Sequence, residues 1–203
     1  GGSGNDLIET GHIEGSRSAD SGLYGGDGDD TIRVLATRAG VGIFGNGAFT
    51  ISGGAGNDTV ELQGQQYNLL GDALNTVDGG SGFDTLVWNA RYDLNRNTDQ
   101  TGVDATAPVY AAEIGARNIE RLDVASSGAT GRTISLNAQD VASITAGSDF
   151  DRASLSGLGL TGTGNALFVE LGDASNSINY SGTWTFRGVT SLNGTSYVAM
   201  EQA

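Results

Sequence analysis

Cysteine and lysine are absent from the 203 residues, and proline (Pro108), histidine (His12) and methionine (Met200) occur once each. Without cysteine there is neither a disulfide framework nor a thiolate metal site. The same two absences remove thiol and Schiff-base nucleophiles. A lone histidine excludes the His-Glu-x-x-His zinc helix and any histidine-rich metal site. No Gly-x-Ser-x-Gly elbow is present. No apolar run reaches the 18 or so residues a bilayer-spanning helix needs. The ten basic residues are all arginine and face 24 acids, 17 of them aspartate, for a net charge of −14 and a pI near 4.1. A cation-poor chain lacks the counterion-release term of nucleic-acid binding and the polybasic patch of a membrane anchor. Paired carboxylates for glycoside hydrolysis are the one enzyme chemistry the composition leaves open. Metal ligation accounts for the acids more simply, so no enzyme activity is expected.

What is abundant is glycine, 34 residues, with 21 of them in residues 1–87. They fall into four nonapeptides in one frame, starting at Gly1, Gly25, Gly53 and Gly79. These are Gly1-Gly2-Ser3-Gly4-Asn5-Asp6-Leu7-Ile8-Glu9 and its counterparts through Arg33, Glu61 and Val87. All match G-G-x-G-x-D-x-U-x, with U aliphatic, which resembles the calcium-binding repeat of repeats-in-toxin (RTX) proteins. The chemistry gives each position a reason. Glycines allow a tight turn whose carbonyls face a cation, the sixth-position aspartate adds a carboxylate, and the aliphatic residue two places on starts a strand and points to the core. One turn supplies half a shell, and two stacked turns complete the six to eight oxygens calcium takes. The metal-ligand candidates are therefore Gly1, Ser3 and Asp6; Gly25, Asp27 and Asp30; Gly53, Ala55 and Asp58; and Gly79, Ser81 and Asp84. Glycine-aspartate turns also close ordinary hairpins, but four in one frame point to calcium. Ions are expected between Asp6 and Asp30, Asp30 and Asp58, and Asp58 and Asp84.

The repeat starts lie 24, 28 and 26 residues apart, whereas contiguous nonapeptides recur every nine. Each turn of the chain thus carries one calcium turn and a longer return path, with strand-like pieces at Gly22-Leu23-Tyr24, Val41 to Phe44, Phe49-Thr50-Ile51 and Leu69-Leu70. The expected fold is all-β: a short irregular calcium-bound β-solenoid, β-roll-like, over residues 1–88, then a polar loop over 89–110 and a β-rich C-terminal section over 111–203, packed as one module. In the loop, Asp93, Asn95, Asn97, Asp99 and Asp104 occupy positions 1, 3, 5, 7 and 12 of an EF-hand-like calcium loop. Thr98 stands where that loop needs glycine and Asp104 where it has glutamate, and the same residues suit a solvated polar loop.

Beyond Ala111, strands are expected at Asn118 to Val124, Arg132 to Leu136, Ala153 to Leu155, Asn165 to Leu171, Ser177 to Tyr180, Thr183 to Arg187 and Thr195 to Met200. A short helix over 138–144 follows the cap Asn137, and Asn193-Gly194 marks a hairpin turn. Trp88 and Trp184 read as core residues. Asp140, Asp149 and Asp151 read as solvated charges, and Arg117 and Arg121 as partners of nearby acids or of a ligand carboxylate.

Asn118-Ile119-Glu120, Leu136 to Val141, Leu171-Gly172-Asp173, Gly182-Thr183-Trp184 and Asn193 to Tyr197 resemble the segment that follows calcium repeats in very large bacterial RTX adhesins. That resemblance implies a calcium-dependent ligand-binding module at a bacterial cell surface, secreted by a type I route and cut from a longer chain, since the sequence opens inside a motif. The implied partner is a cell-surface peptide or protein terminus, held through its C-terminal carboxylate on calcium. A glycan is the alternative partner, and a calcium-stiffened spacer or a module appended to an enzyme the alternative roles. A monomer, no nucleic acid and no membrane insertion are expected.

Overall fold

The structure is a computed structural model that describes residues 1–11, 21–36, 49–64, 76–90, 109–110, 115–123, 133–136, 138–151, 155, 157–159, 166–172, 174, 176–180, 182–192 and 194–202. The repeats make tiers, each a strand before its glycine turn and a strand after it. β1 (Gly2–Ser3) and β2 (Leu7–Thr10) form the first, β3 (Ser21–Asp27) and β4 (Thr31–Ala36) the second, β5 (Phe49–Ala55) and β6 (Thr59–Gly64) the third, and β7 (Thr76–Ser81) and β8 (Thr85–Ala90) the fourth. After β9 (Val109–Tyr110), β10 (Ala116–Arg117) and β11 (Arg121–Asp123) add a fifth tier without the glycine motif. The remaining described elements are β12 (Thr133–Leu136), α1 (Ala138–Ile144), β13 (Phe168–Glu170), β14 (Ser177–Tyr180), β15 (Trp184–Leu192) and β16 (Thr195–Gln202). The chain is thus mostly β.

Strands before the turns pair as one sheet, β1-β3-β5-β7-β10, and strands after them as a second, β2-β4-β6-β8-β11-β13. All these pairings are parallel. Register follows from side-chain alternation, because a one-residue slip would turn the apolar face outward. In the second sheet Ile8, Ile32, Val60, Leu86, Leu122 and Val169 stand in line. In the first, Leu23, Ile51, Val77 and Ala116 do. The two lines share one core, in which Ile32, Ile51, Val60, Leu86 and Leu122 are at most 2% exposed. Each such side chain contributes about 1.5–3 kcal/mol.

A third parallel sheet has the order β14-β12-β9, and β15 and β16 form an antiparallel hairpin. Helix α1 packs on β10, the last strand of the first sheet, and buries Ile144 against the common core. A second, aromatic cluster joins Phe83, Phe150, Phe168 and Tyr197. Among the described residues no helix is long and apolar enough to cross a membrane.

Two C-terminal expectations change. Asn118 to Val124 is not one half-buried strand: the chain turns at Asn118 to Glu120 between β10 and β11, because each short piece pairs with a different sheet. Of Ala153 to Leu155 only Leu155 is described: it is helical and buried beside Phe168 and Tyr197, while Ala153 and Ser154 lie outside the described residues. Val41 to Phe44, Leu69-Leu70, Asn137, Asp173 and the side chain of Trp88 lie outside the described residues; Trp184 is only half-buried.

Candidate metal centre

The glycine turns stack along one edge where the chain crosses between the first two sheets. The second glycines of the second, third and fourth turns carry positive φ, 121° at Gly26, 122° at Gly54 and 110° at Gly80, a conformation that favours glycine. The first glycines are needed for space. A Cβ on Gly53 would lie closer than the 3.0 Å that real Cβ atoms keep to two oxygens, Asp58 Oδ2 and the Gly79 carbonyl. Gly1 and Gly25 have the same two neighbours, their own tier's aspartate Oδ2 and the next tier's first-glycine carbonyl. A carboxylate oxygen and a main-chain carbonyl therefore converge beside each first glycine.

The aspartates themselves are linked from tier to tier. The Asp6 N–H donates to Asp30 Oδ1 at 2.8 Å, Asp30 N–H to Asp58 Oδ1 at 2.7 Å, and Asp58 N–H to Asp84 Oδ1 at 2.7 Å. Each carboxylate is thus fixed by one oxygen. The other, Oδ2 of Asp30, Asp58 and Asp84, is buried with no hydrogen-bond partner. An unpaired buried acceptor costs about 1–3 kcal/mol, and more when charged. Burial pushes the carboxyl of Asp58 up from its usual range, helped by the neighbouring carboxylates of Asp30 and Asp29 and opposed by its hydrogen bond from the Asp30 backbone. Burial pushes Asp84 up to about 7, with Glu120, Asp58 and Asp149 adding repulsion against the hydrogen bond from the Asp58 backbone.

The third-position residues enter through the main chain. Gly4 N–H donates to the Asp27 carbonyl, Gly28 to Ala55 and Gly56 to Ser81, at 2.7 to 2.9 Å. The side chains of Ser3, Asp27 and Ser81 are exposed. A separate outer ladder runs through the fifth positions. Asn5 Oδ1 accepts from Asp29 N–H at 2.9 Å, Asp29 Oδ1 from Asn57 N–H at 2.7 Å, and Asn57 Oδ1 from Phe83 N–H at 2.9 Å.

This donor set suits a hard cation: carboxylate and carbonyl oxygens, rigidly held, with negative charge in excess. Among the described residues no three histidine, cysteine, aspartate or glutamate side chains gather as a metal-holding group. The oxygens in each gap are instead mixed, carboxylate from one tier and carbonyl from the next. Gly1, Gly25, Gly53, Gly79 and their aspartates are brought together in this way; Asp93, Asn95, Asn97, Asp99 and Asp104 lie outside the described residues.

Three residues at the edge are not in the repeat. Glu120 Oε2 accepts the Asp84 N–H at 2.7 Å, as the next tier's aspartate does elsewhere. The Asn118 carbonyl leans over Gly79, and Asp149 Oδ1 accepts the Gly82 N–H at 3.2 Å. Asp149 is thus bound to the turn edge and is no purely solvated charge. The sequence signal for Glu120 is its spacing, since Glu120-Arg121-Leu122-Asp123-Val124 repeats the acid-x-aliphatic-x-aliphatic order of Asp58-Thr59-Val60-Glu61-Leu62. Arg117 pairs with Asp78 at 2.6 Å, and Arg121 with Glu170 and Asp123, so both arginines are committed to acids of the chain.

Comparison of the chain with protein-family models, curated proteins and solved structures gives no match.

Proposed function

We propose that this chain is a calcium-dependent ligand-binding module of a bacterial surface adhesin, folded as a calcium-bound β-solenoid and working outside the cell. The observation that carries the calcium part is the series of buried, unpartnered aspartate oxygens at Asp30, Asp58 and Asp84, each facing a glycine cradle with a carbonyl of the next tier. A divalent ion between tiers supplies the missing partner to both and offsets the repulsion between successive carboxylates. Without it the edge is a column of desolvated negative charge. In the cell, where free calcium is scarce, the tiers stay open for export through a type I route; outside, millimolar calcium closes them.

The adhesin part rests on the RTX-type repeats and the motifs of the C-terminal section. The ligand in this reading is a peptide on another cell, bound through its C-terminal carboxylate to an exposed calcium. Asp30, Asp58 and Asp84 are each 1% exposed, so ions between the tiers are enclosed and structural. That enclosure favours the alternative of a calcium-stiffened spacer unless another ion is open, and the loop of Asp93, Asn95, Asn97, Asp99 and Asp104 is the place assigned to it. Melting in calcium and in chelator tests the shared premise: an unchanged melting temperature removes it. An array of peptides with free and amidated C-termini, read in calcium, then separates the roles. Binding lost on amidation and in Asp99→Ala supports carboxylate capture, and no binding to any peptide or glycan leaves the spacer.

A further inference from the structure

The repeat-bearing gaps share three features, and the gap after the fourth tier reproduces all three with residues of other kinds. In a repeat gap the next tier's first glycine places its carbonyl over the preceding first glycine. Its third residue accepts the preceding fourth-position N–H through a carbonyl. Its aspartate accepts the preceding aspartate's N–H. At the fifth tier the turn is short: Glu120 follows Asn118 by two positions, where Asp84 follows Gly79 by five. Register nonetheless sets Arg117 against Asp78 and Arg121 against Thr85, so Asn118 meets Gly79 and Glu120 meets Asp84. Asn118 takes the first glycine's place with a φ of 51°, Glu120 reaches where the shorter aspartate would sit, and Asp149 Oδ1 accepts the Gly82 N–H where the third-position carbonyl is missing.

The group left over is again the aspartate's second oxygen. Asp84 is 1% exposed, its Oδ2 has no partner, and it faces the Gly79 cradle beneath the Asn118 carbonyl. We propose that this gap is a further calcium site, built from Asp84 Oδ2, the Asn118 carbonyl and the carboxylates of Glu120 and Asp149, which clamps the loop after α1 to the end of the repeat stack. The inference rests on the calcium reading of the repeat gaps. The set departs from theirs in charge: beside Asp84, the carboxylates of Glu120 and Asp149 each accept an N–H of the Gly79–Asp84 turn, and none is passed on to a following gap. They do not form a side-chain cluster by themselves. The main-chain oxygen completes the set, and the exposed Asp149 closes on the ion from outside.

The test is calcium stoichiometry by native mass spectrometry, with hydrogen exchange in calcium and in chelator, on the whole chain and on Asp149→Asn. The amide side chain keeps an acceptor oxygen for Gly82 and removes the charge, at an exposed position where folding is not at stake. Asp149→Asn is expected to bind one calcium fewer and to lose the calcium-induced protection of residues 145–151, while residues 25–34 keep theirs. Glu120→Gln is expected to lose the same ion; if that buried change prevents folding, Asp149→Asn alone decides. Unchanged stoichiometry and unchanged protection in Asp149→Asn overturn this site and leave the repeat sites standing. No calcium bound by the unsubstituted chain overturns both.

Discussion

Gly53→Ala isolates the cradle from every other property of the turn. Gly53 does not need a positive φ, so the backbone accepts alanine, and reduced freedom of the unfolded chain would by itself stabilise by about 0.4–1 kcal/mol. The added methyl, however, falls on the point where Asp58 Oδ2 and the Gly79 carbonyl converge, with the Asp58 Cβ 2.6 Å away. The carboxylate can rotate aside; the Gly79 carbonyl belongs to a strand paired to the next tier and cannot. Overpacking costs about 1–3 kcal/mol, and a fixed backbone atom places this case at the upper end. The net loss in chelator is thus about 2 kcal/mol, or about 4–8 °C in melting temperature for a chain of this size. In calcium the variant is also expected to bind one ion fewer, worth about 2.7 kcal/mol more at a hundredfold excess over Kd. Gly2→Ala is the control, because its Cβ meets nothing within 4 Å. Urea unfolding with and without calcium reads both terms. Equal stability of Gly53→Ala and Gly2→Ala in both solutions would refute the cradle.

Asp58→Asn keeps an oxygen for the Asp30 N–H but removes a charge whose carboxyl burial pushes up. It is expected to raise the melting temperature in chelator and lower it in calcium; a change of one sign in both solutions contradicts a cation at this position. For pH, Asp84 titrates at about 7 in the calcium-free fold against 3.8 unfolded, so the fold binds the proton more tightly and is destabilised as the proton leaves. Stability in chelator should therefore fall from about pH 4 to about pH 7, in a decline that Asp84→Asn removes; thermal scans showing a rise over that window defeat the assignment. Phe83→Ala should cost about 2 kcal/mol, less than the 3–5 of a fully buried phenylalanine, because the ring is half-buried. Its loss should be the same in calcium and chelator, and a loss seen only in calcium would tie the ring to the ion sites.

The repeat was legible because the same demands recur in every tier. Gly25, Gly53 and Gly79 each have to clear a carbonyl above and a carboxylate beside them, and only glycine does so. The line Ile8, Ile32, Val60, Leu86 likewise follows from one aliphatic residue two places after each aspartate. The fifth tier was not legible as a tier because each demand is met by a different substitute. Asn118 supplies the carbonyl over Gly79 without being glycine, Glu120 has the reach of one more methylene, and Asp149 comes from 29 positions further on. Periodicity reads Asn118 to Val124 as one alternating strand, since the turn inside it is too short to interrupt the pattern. Asp149 carried no signal, because an exposed acid on a loop is identified only by the N–H it meets in space.

The two polar ladders explain why the repeats cannot simply stop. At the sixth position each aspartate accepts from the tier before it; at the fifth, each side-chain oxygen accepts from the tier after it. Every gap is bridged from both sides, and the stack has a direction. Its last tier must find an acceptor for one more aspartate N–H or leave it buried and unpaired. Glu120 satisfies the first ladder. The outer ladder ends differently: Phe83 takes the fifth position, donates its N–H to Asn57 and has no oxygen to offer onward. Its ring instead meets Phe150 and Phe168 with centroids 5.7 and 5.6 Å away, and Phe168 stacks edge-on against Tyr197. The cohesion of the edge thus changes at one residue from polar contact to aromatic burial. From that change the Phe83→Ala loss is expected to be independent of calcium and the Gly53→Ala loss to depend on it, and it gives the C-terminal section a physical task, to terminate a stack whose own repeat has no means of ending.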